Sequence, residues 1–259
     1  MKKVIVAVLL VVLVGSGLLT GCVSERGGSG NLDTQEFNFN DFTRVEIGDA
    51  FEVELVQAGS FGVSITADDN LYKYIQISKE GETLKIGLEM LVVRPLFTTL
   101  RAEITMPELY ELDFSGATRG TVKGFSSSND LILDISGASR VNMSDIIAGD
   151  IDFEISGASE VKGDLTAGDA DFDVSGASTV QLQGSAKDMR IEASGGSRVE
   201  LDNFPVNNAD VELSGASRGT VNLDGRLDAD LSGASKLNYI GEPTMGDIHT
   251  SGGSSLNKK

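Results

Sequence analysis

Leu133-Asp134-Ile135-Ser136-Gly137-Ala138-Ser139-Arg140-Val141 decides the fold, because close variants of it recur down the carboxy-terminal half of the chain. Its Ser-Gly-Ala-Ser-like core begins at Ser115, Ser136, Ser156, Ser175, Ser194, Ser214, Ser232 and Ser251, in steps of 21, 20, 19, 19, 20, 18 and 19 residues. A period of that length with no helical pattern inside it predicts stacked rungs of short strands, since one such unit cannot bury its apolar face without neighbours. The predicted fold is all-β, a parallel β-helix.

Aligning the copies on their first serine assigns each position a direction. Three residues before it stand Leu112, Leu133, Phe153, Phe172, Ile191, Val211, Ala229 and Ile248, and one before it Phe114, Ile135, Ile155, Val174, Ala193, Leu213, Leu231 and Thr250. Between them stand Asp113, Asp134, Glu154, Asp173, Glu192, Glu212, Asp230 and His249. This apolar, charged, apolar alternation is the period of a half-buried strand, with the carboxylates facing water. Five residues beyond the serine a second apolar column begins, Val141, Val161, Val180, Val199, Leu237 and Leu256, interrupted by Gly120 and Gly219.

The tetrapeptide itself reads as a corner: glycine takes positive φ at little cost, and small Ala and Ser neighbours let corners stack at strand spacing. Stacked hydroxyls are expected to exchange hydrogen bonds up the column. A catalytic role for these serines is disfavoured. The Gly-x-Ser-x-Gly elbow is absent, a serine nucleophile needs a positioned base, and the single histidine, His249, falls in the terminal rung.

Residues 1–21 have the parts of an export signal: Lys2 and Lys3, an apolar run from Val4 to Val14, and a small-residue cleavage region. Leu19-Thr20-Gly21-Cys22 resembles the lipobox of prokaryotic lipoproteins, which makes Cys22, the only cysteine, the expected site of lipid attachment. The apolar run is shorter than the roughly 20 residues that span a bilayer. Two or three acyl chains on Cys22 would anchor the chain to a membrane of the cell envelope without crossing it. Residues 22–31, rich in Gly and Ser, read as a flexible tether.

The chain carries 39 acids against 21 Lys plus Arg, a formal charge of −18 that becomes −20 when the signal takes Lys2 and Lys3 away. Such a surface disfavours nucleic acid and anionic lipid headgroups as partners. With no Trp and four Tyr, there is little material for an aromatic sugar-binding platform.

Residues 32–110 form a separate β module without the tetrapeptide. Alternation predicts strands over Thr43–Ile47, Phe51–Gln57, Phe61–Ala67, Ile75–Ser78, Thr83–Leu88 and Leu100–Met106. Asp68-Asp69-Asn70 offers an N-cap for one helical turn, and Lys79-Glu80-Gly81-Glu82 a hairpin turn. We read the module as less regular rungs closing the amino-terminal end of the regular β-helix, residues 111–259. At the other end Lys258 and Lys259 discourage edge pairing.

Gly48-Asp49-Ala50-Phe51-Glu52-Val53-Glu54-Leu55, then Ala67-Asp68-Asp69-Asn70-Leu71, then Gly81-Glu82-Thr83-Leu84-Lys85-Ile86, followed by the Ser-Gly-Ala-Ser series, resembles the putative auto-transporter adhesin head GIN domain family. The resemblance runs from Phe42 to the carboxy terminus, although Phe51-Glu52 departs from the family's usual residues after the glycine turn. It implies a right-handed parallel β-helix in a prokaryotic envelope protein, and it supplies no catalytic residues.

A companion acidic column stands four residues before the serine: Asp152, Asp171, Asp210, Asp228 and Asp247. Carboxylates stacked about 4.8 Å apart repel by about 0.9 kcal/mol per pair even at the dielectric of water, so something must offset them. Calcium is one candidate. Salt, together with Arg119, Arg140, Arg198, Arg218 and Lys236 four residues after the serine, is the alternative, and no calcium loop motif accompanies the ladder. The expectation is a non-enzymatic, cofactor-free and metal-free adhesion or structural module whose partner is a protein or glycan of the envelope. A polysaccharide-binding or polysaccharide-active β-helix is the alternative.

Overall fold

The computed structural model describes residues 27–89 and 98–259, and shows a β-solenoid of about seven turns with an irregular amino-terminal region. Each regular rung contributes one strand to each of two facing sheets. Sheet B contains 11 strands and carries the segment before each tetrapeptide; sheet A contains 12 and carries the segment after it. From Glu111–Phe114 to Thr244–Thr250 in sheet B, and from Arg119–Lys123 to Ser255–Lys258 in sheet A, neighbouring strands pair in parallel.

The register stacks like on like. Leu133, Phe153, Phe172 and Ile191 are consecutive partners in sheet B, as are Val141, Val161, Val180 and Val199 in sheet A. Both apolar columns line the space between the sheets and are essentially solvent-free, with the Phe153 and Phe172 rings stacked at 4.8 Å. Gly120 interrupts the second column for a steric reason: a Cβ there would lie 2.1 Å from Cε2 of Phe114.

The tetrapeptides are the corners between the sheets, and the backbone itself stacks them. The glycines take φ of +70° to +77°, and Ala138, Ala158 and Ala177 donate their N–H groups to the glycine carbonyls one rung back, Gly116, Gly137 and Gly157, at 2.7 to 2.8 Å. The hydroxyls do not exchange bonds with one another as expected. Ser217 Oγ instead donates to the carbonyls of Ser214 at 2.8 Å and Ala193 at 3.2 Å, and Ser254 Oγ to those of Ser251 and Leu231. The fourth corner residue is buried from Thr118 to Ser235; the hydroxyls of Thr118, Ser217 and Ser235 donate to carbonyls that the bend removes from water, whereas those of Ser139, Ser159 and Ser197 find no hydrogen-bond partner among the described residues.

The amino-terminal module supplies real rungs in an order that differs from the sequence. Arg44–Ile47 and Glu52–Gln57 form a rung directly against Glu111–Phe114 and Arg119–Lys123, and Thr83–Leu88 with Leu100–Met106 forms the rung outside it. Gly48-Asp49-Ala50-Phe51 is therefore the first corner, since Ser115 donates its N–H to the Ile47 carbonyl. Antiparallel strands finish this end as the outermost members of the sheets: Gly62–Asp68 and Leu32–Phe37 in sheet A, Ile75–Glu80 in sheet B.

A 3₁₀ turn, Asp69–Tyr74, plugs the end with buried Leu71. Asp68 does not cap it with its side chain as the sequence suggested. Its buried carboxylate accepts the N–H of Gly30 at 2.7 Å and of Thr99 at 3.2 Å. With Ser29 N–H on Asn70 Oδ1, residues 27–31, expected as the end of a free tether, are fastened to the cap.

At the opposite end no described residue provides such a cover. Ile248 and Leu256 are only half-buried, whereas Ala229 and Leu237 one rung below are 3% and 0% exposed. Lys258 occupies the inward column above Tyr239 and pairs with Glu242, so a charge stands where a bare apolar edge would invite another strand.

Candidate interaction surface

The outward face of sheet B is a field of carboxylates. The two columns read from the sequence lie there side by side, Asp134, Glu154, Asp173, Glu192 in one and Asp152, Asp171 in the other, and in-register pairing puts each against its neighbour in the next rung. A third column, missed by the sequence reading, lies six residues before the serine: Asp130, Asp150, Asp169 and Asp188. Its signal was present, since these positions repeat in steps of 20, 19 and 19 residues.

This third column has a structural duty at the second corner of each rung. Asp130 accepts the N–H of Asp150 at 2.8 Å, Asp150 that of Asp169 at 2.8 Å, and Asp188 that of Asn208 at 3.2 Å. Together with exposed Ile132, the third column borders a shallow groove of about 510 Å³ on this face.

Crowding shows in the proton affinities. Burial, then the carboxylates of Asp134, Glu46 and Glu111, push Asp113 up to about 6 against the pull of Lys85. Burial and neighbouring acids likewise raise Glu154, and burial raises Asp171 although Arg190 opposes it. Arg190 interrupts the second column and pairs with Glu192.

The basic residues expected to offset the ladder stand elsewhere. Arg119, Arg140, Arg198, Arg218 and Lys236 all fall on sheet A, because the four-residue corner between serine and arginine carries the chain to the other sheet. Arg140 pairs there with Glu160, and Arg198 with Glu200. The molecule thus has one strongly acidic face and one face of mixed charge.

His249 is exposed at the end of the carboxylate column, in register with Asp230. Cys22 and the signal segment lie outside the described residues. Among the described residues no group of three or more His, Cys, Asp and Glu side chains is placed to hold a metal ion, and no helix is long and apolar enough to cross a membrane.

Stacked parallel rungs, small-residue corners and flat charged faces define a β-solenoid. The chain belongs to the family described as "Putative auto-transporter adhesin, head GIN domain", whose model matches residues 41–243. Solved structures share the fold. One described as a putative adhesin from Parabacteroides distasonis aligns with TM-score 0.81 at 18% identity, covering 90% of this chain and 99% of its own. A putative adhesin from Parabacteroides merdae aligns with TM-score 0.81 at 16% identity, over 90% and 98%. A structure described as a putative lipid binding protein from Parabacteroides distasonis aligns with TM-score 0.73 at 17% identity, again over 90% and 98%. No curated protein matches the chain.

Proposed function

We propose that this protein is a lipid-anchored module of the cell envelope that works without catalysis, presenting the flat faces of a rigid β-solenoid to a protein or glycan partner. Membership of an adhesin family supports the adhesion part. Signal residues 1–21, acylated Cys22 and a short tether supply the anchor.

The observation that carries the reading is the evenness of the surface. Its acids stand in columns, one per rung, and its fourth corner residues, from Thr118 to Ser235, are buried rather than offered to a substrate. Polysaccharide-active β-solenoids, the alternative, need an acid and a base facing each other across a bound sugar. Here the carboxylates project side by side from one flat sheet.

Two measurements test the proposal. Mass spectrometry of full-length protein from a bacterial membrane fraction is expected to show diacyl or triacyl Cys22, and Cys22→Ala to release the chain from membranes. Cells displaying the wild-type protein are expected to adhere to an envelope extract more than cells displaying no protein. An unmodified Cys22, or adhesion equal to the control, contradicts the corresponding half.

A further inference from the structure

The two sheets differ in a way that selects a partner. Across Arg218–Leu223, Lys236–Ile240 and Ser255–Lys258, three adjacent strands of sheet A, the sequence contains no carboxylate, in a chain of net charge −18. Arg198 and Glu200, paired with each other, bound this area on the neighbouring strand, and Asp202 there pairs with Lys259. Arg218 and Lys236 are in register and exposed, and make no ion pair among the described residues.

Beside these two cations runs a second outward column of neutral hydrogen-bonding side chains. Asn238 and Asn257 are in register, two residues along the strands from Lys236 and Ser255; Thr220 continues the column but is buried, and Asn222 beyond it donates its amide to the Asp202 carbonyl at 3.0 Å. Successive outward residues on a strand are about 7 Å apart and neighbouring strands about 4.8 Å, so the area offers cations and amides on a short, fixed grid. The acidic face lies on the far side of the core. Charges farther apart than the Debye length, about 8 Å at physiological ionic strength, are largely screened, so the patch presents its own positive sign to a partner.

We propose that this carboxylate-free area of sheet A binds a glycan chain bearing carboxylate groups, with Arg218 and Lys236 taking the carboxylates and Asn238 and Asn257 the sugar hydroxyls. Charge complementarity selects an anion, and the amide column selects a polyhydroxylated one. This deepens the adhesion reading by naming the partner's chemistry. A duplex or single-stranded nucleic acid is the poorer fit, since the amides are offered to hydroxyls and the aromatic residue of these strands, Tyr239, belongs to the inward column and offers bases no outward ring to stack on.

The test uses full-length protein in neutral detergent, with oligogalacturonate, its methyl ester and single-stranded DNA of matched charge as probes in a calorimetric titration. Oligogalacturonate is expected to bind, its affinity falling about tenfold between roughly 0.05 M and 0.3 M salt, while the methyl ester and the DNA do not. R218Q/K236Q is expected to weaken binding about tenfold, at about 0.7 kcal/mol per lost contact. The control K73Q/K79Q, which removes the same charge from the cap, leaves binding unchanged.

No binding of oligogalacturonate, equal binding of the methyl ester or of the DNA, or equal loss in both variants overturns the assignment. So does concentration-dependent self-association abolished by R218Q/K236Q, which would make the acidic face of a second copy the occupant. Folding of the variants is checked by their unchanged thermal midpoints. Since lipidation and display-dependent adhesion are read separately, failure here leaves the anchored-module proposal standing or falling on its own measurements.

Discussion

Ser175-Gly176-Ala177-Ser178 and Gly48-Asp49-Ala50-Phe51 turn the same corner by different means. In the regular rungs a glycine takes the left-handed residue and a hydroxyl fills the buried fourth place, with Gly176 at φ +74° and Ser178 1% exposed. At the first corner Asp49 and Ala50 both take left-handed φ, +61° and +68°, and buried Phe51 stands where the hydroxyl would be. Asp49 Oδ2 compensates by accepting the N–H of Leu88 at 2.8 Å. The repeats thus need glycine because corner stacks on corner through backbone contact.

The widest separation between the two corners comes from adding a side chain. A Cβ on Gly176 would lie 2.3 Å from the Gly157 carbonyl oxygen, and that oxygen cannot retreat without breaking its bond to Ala177 N–H at 2.7 Å. Gly176→Val is expected to cost about 5 kcal/mol, combining a left-handed β-branched residue with displaced backbone. Urea unfolding followed by far-UV circular dichroism measures it. A loss under 1 kcal/mol would mean that the corners do not stack as described.

Gly120 separates the two regions through volume rather than φ. It faces the core at the first regular rung, where the ring of Phe114 takes the space of its missing side chain. Gly120→Ala is expected to cost about 2 kcal/mol by overpacking, and Phe114→Leu in the same chain to return part of it. Both changes are read as shifts in the urea midpoint, and additive losses would contradict the contact.

How much of this was legible in the sequence follows from how local each cause is. The period, the inward columns and the corners were open to reading because every rung repeats them; the family model and the fold agree with that reading. The Gly48–Phe51 corner was hidden because the Ser-Gly pair that opens the repeat corners is missing, and its place under Ser115 arises from pairing between strands 67 residues apart in sequence, as Ile47 with Phe114. The strand Leu32–Phe37 was missed because all its residues but the last are exposed, so it has no buried face to impose alternation. The segregation of charge was misread because arginine stands four residues from serine along the chain yet beyond a bend. Asp68 was taken for a helix cap on local spacing, while its partners, Gly30 and Thr99, come from distant segments.

The carboxylate face adds a pH signature that the mixed face lacks. Asp113 has a native pKa of about 6 against an ordinary value of 3.8, so between those values the folded chain binds more protons than the unfolded one. Stability therefore falls as pH rises through that window, and the penalty is complete above pH 6. Glu154 and Asp171 act in the same direction; Glu160, Asp188 and Asp228, held low by basic or amide partners, act oppositely as pH falls below their ordinary values. After discounting for solvent at a half-buried site, Asp113→Asn is expected to stabilise by about 1 kcal/mol at pH 7.5 and to flatten the rise in thermal midpoint between pH 7.5 and 5. A midpoint that falls on acidification over that range would contradict the crowding.

The finest distinction between the corners is a strain carried only by the first. Ala50 holds φ +68° without glycine's freedom, a conformation costing an L-residue about 1 to 2 kcal/mol. Ala50→Gly removes that strain and adds back unfolded-chain entropy, leaving a net gain of about 0.5 kcal/mol. Gly157 in a repeat corner holds the place that Asp49, the residue before Ala50, holds in the first, and Gly157→Ala must lose stability, because its Cβ would fall 2.3 Å from the Gly137 carbonyl oxygen. Opposite signs at two structurally equivalent turns, measured as urea midpoints, would trace glycine's requirement to the neighbouring corner's approach. Equal losses at both would trace it to the turn itself.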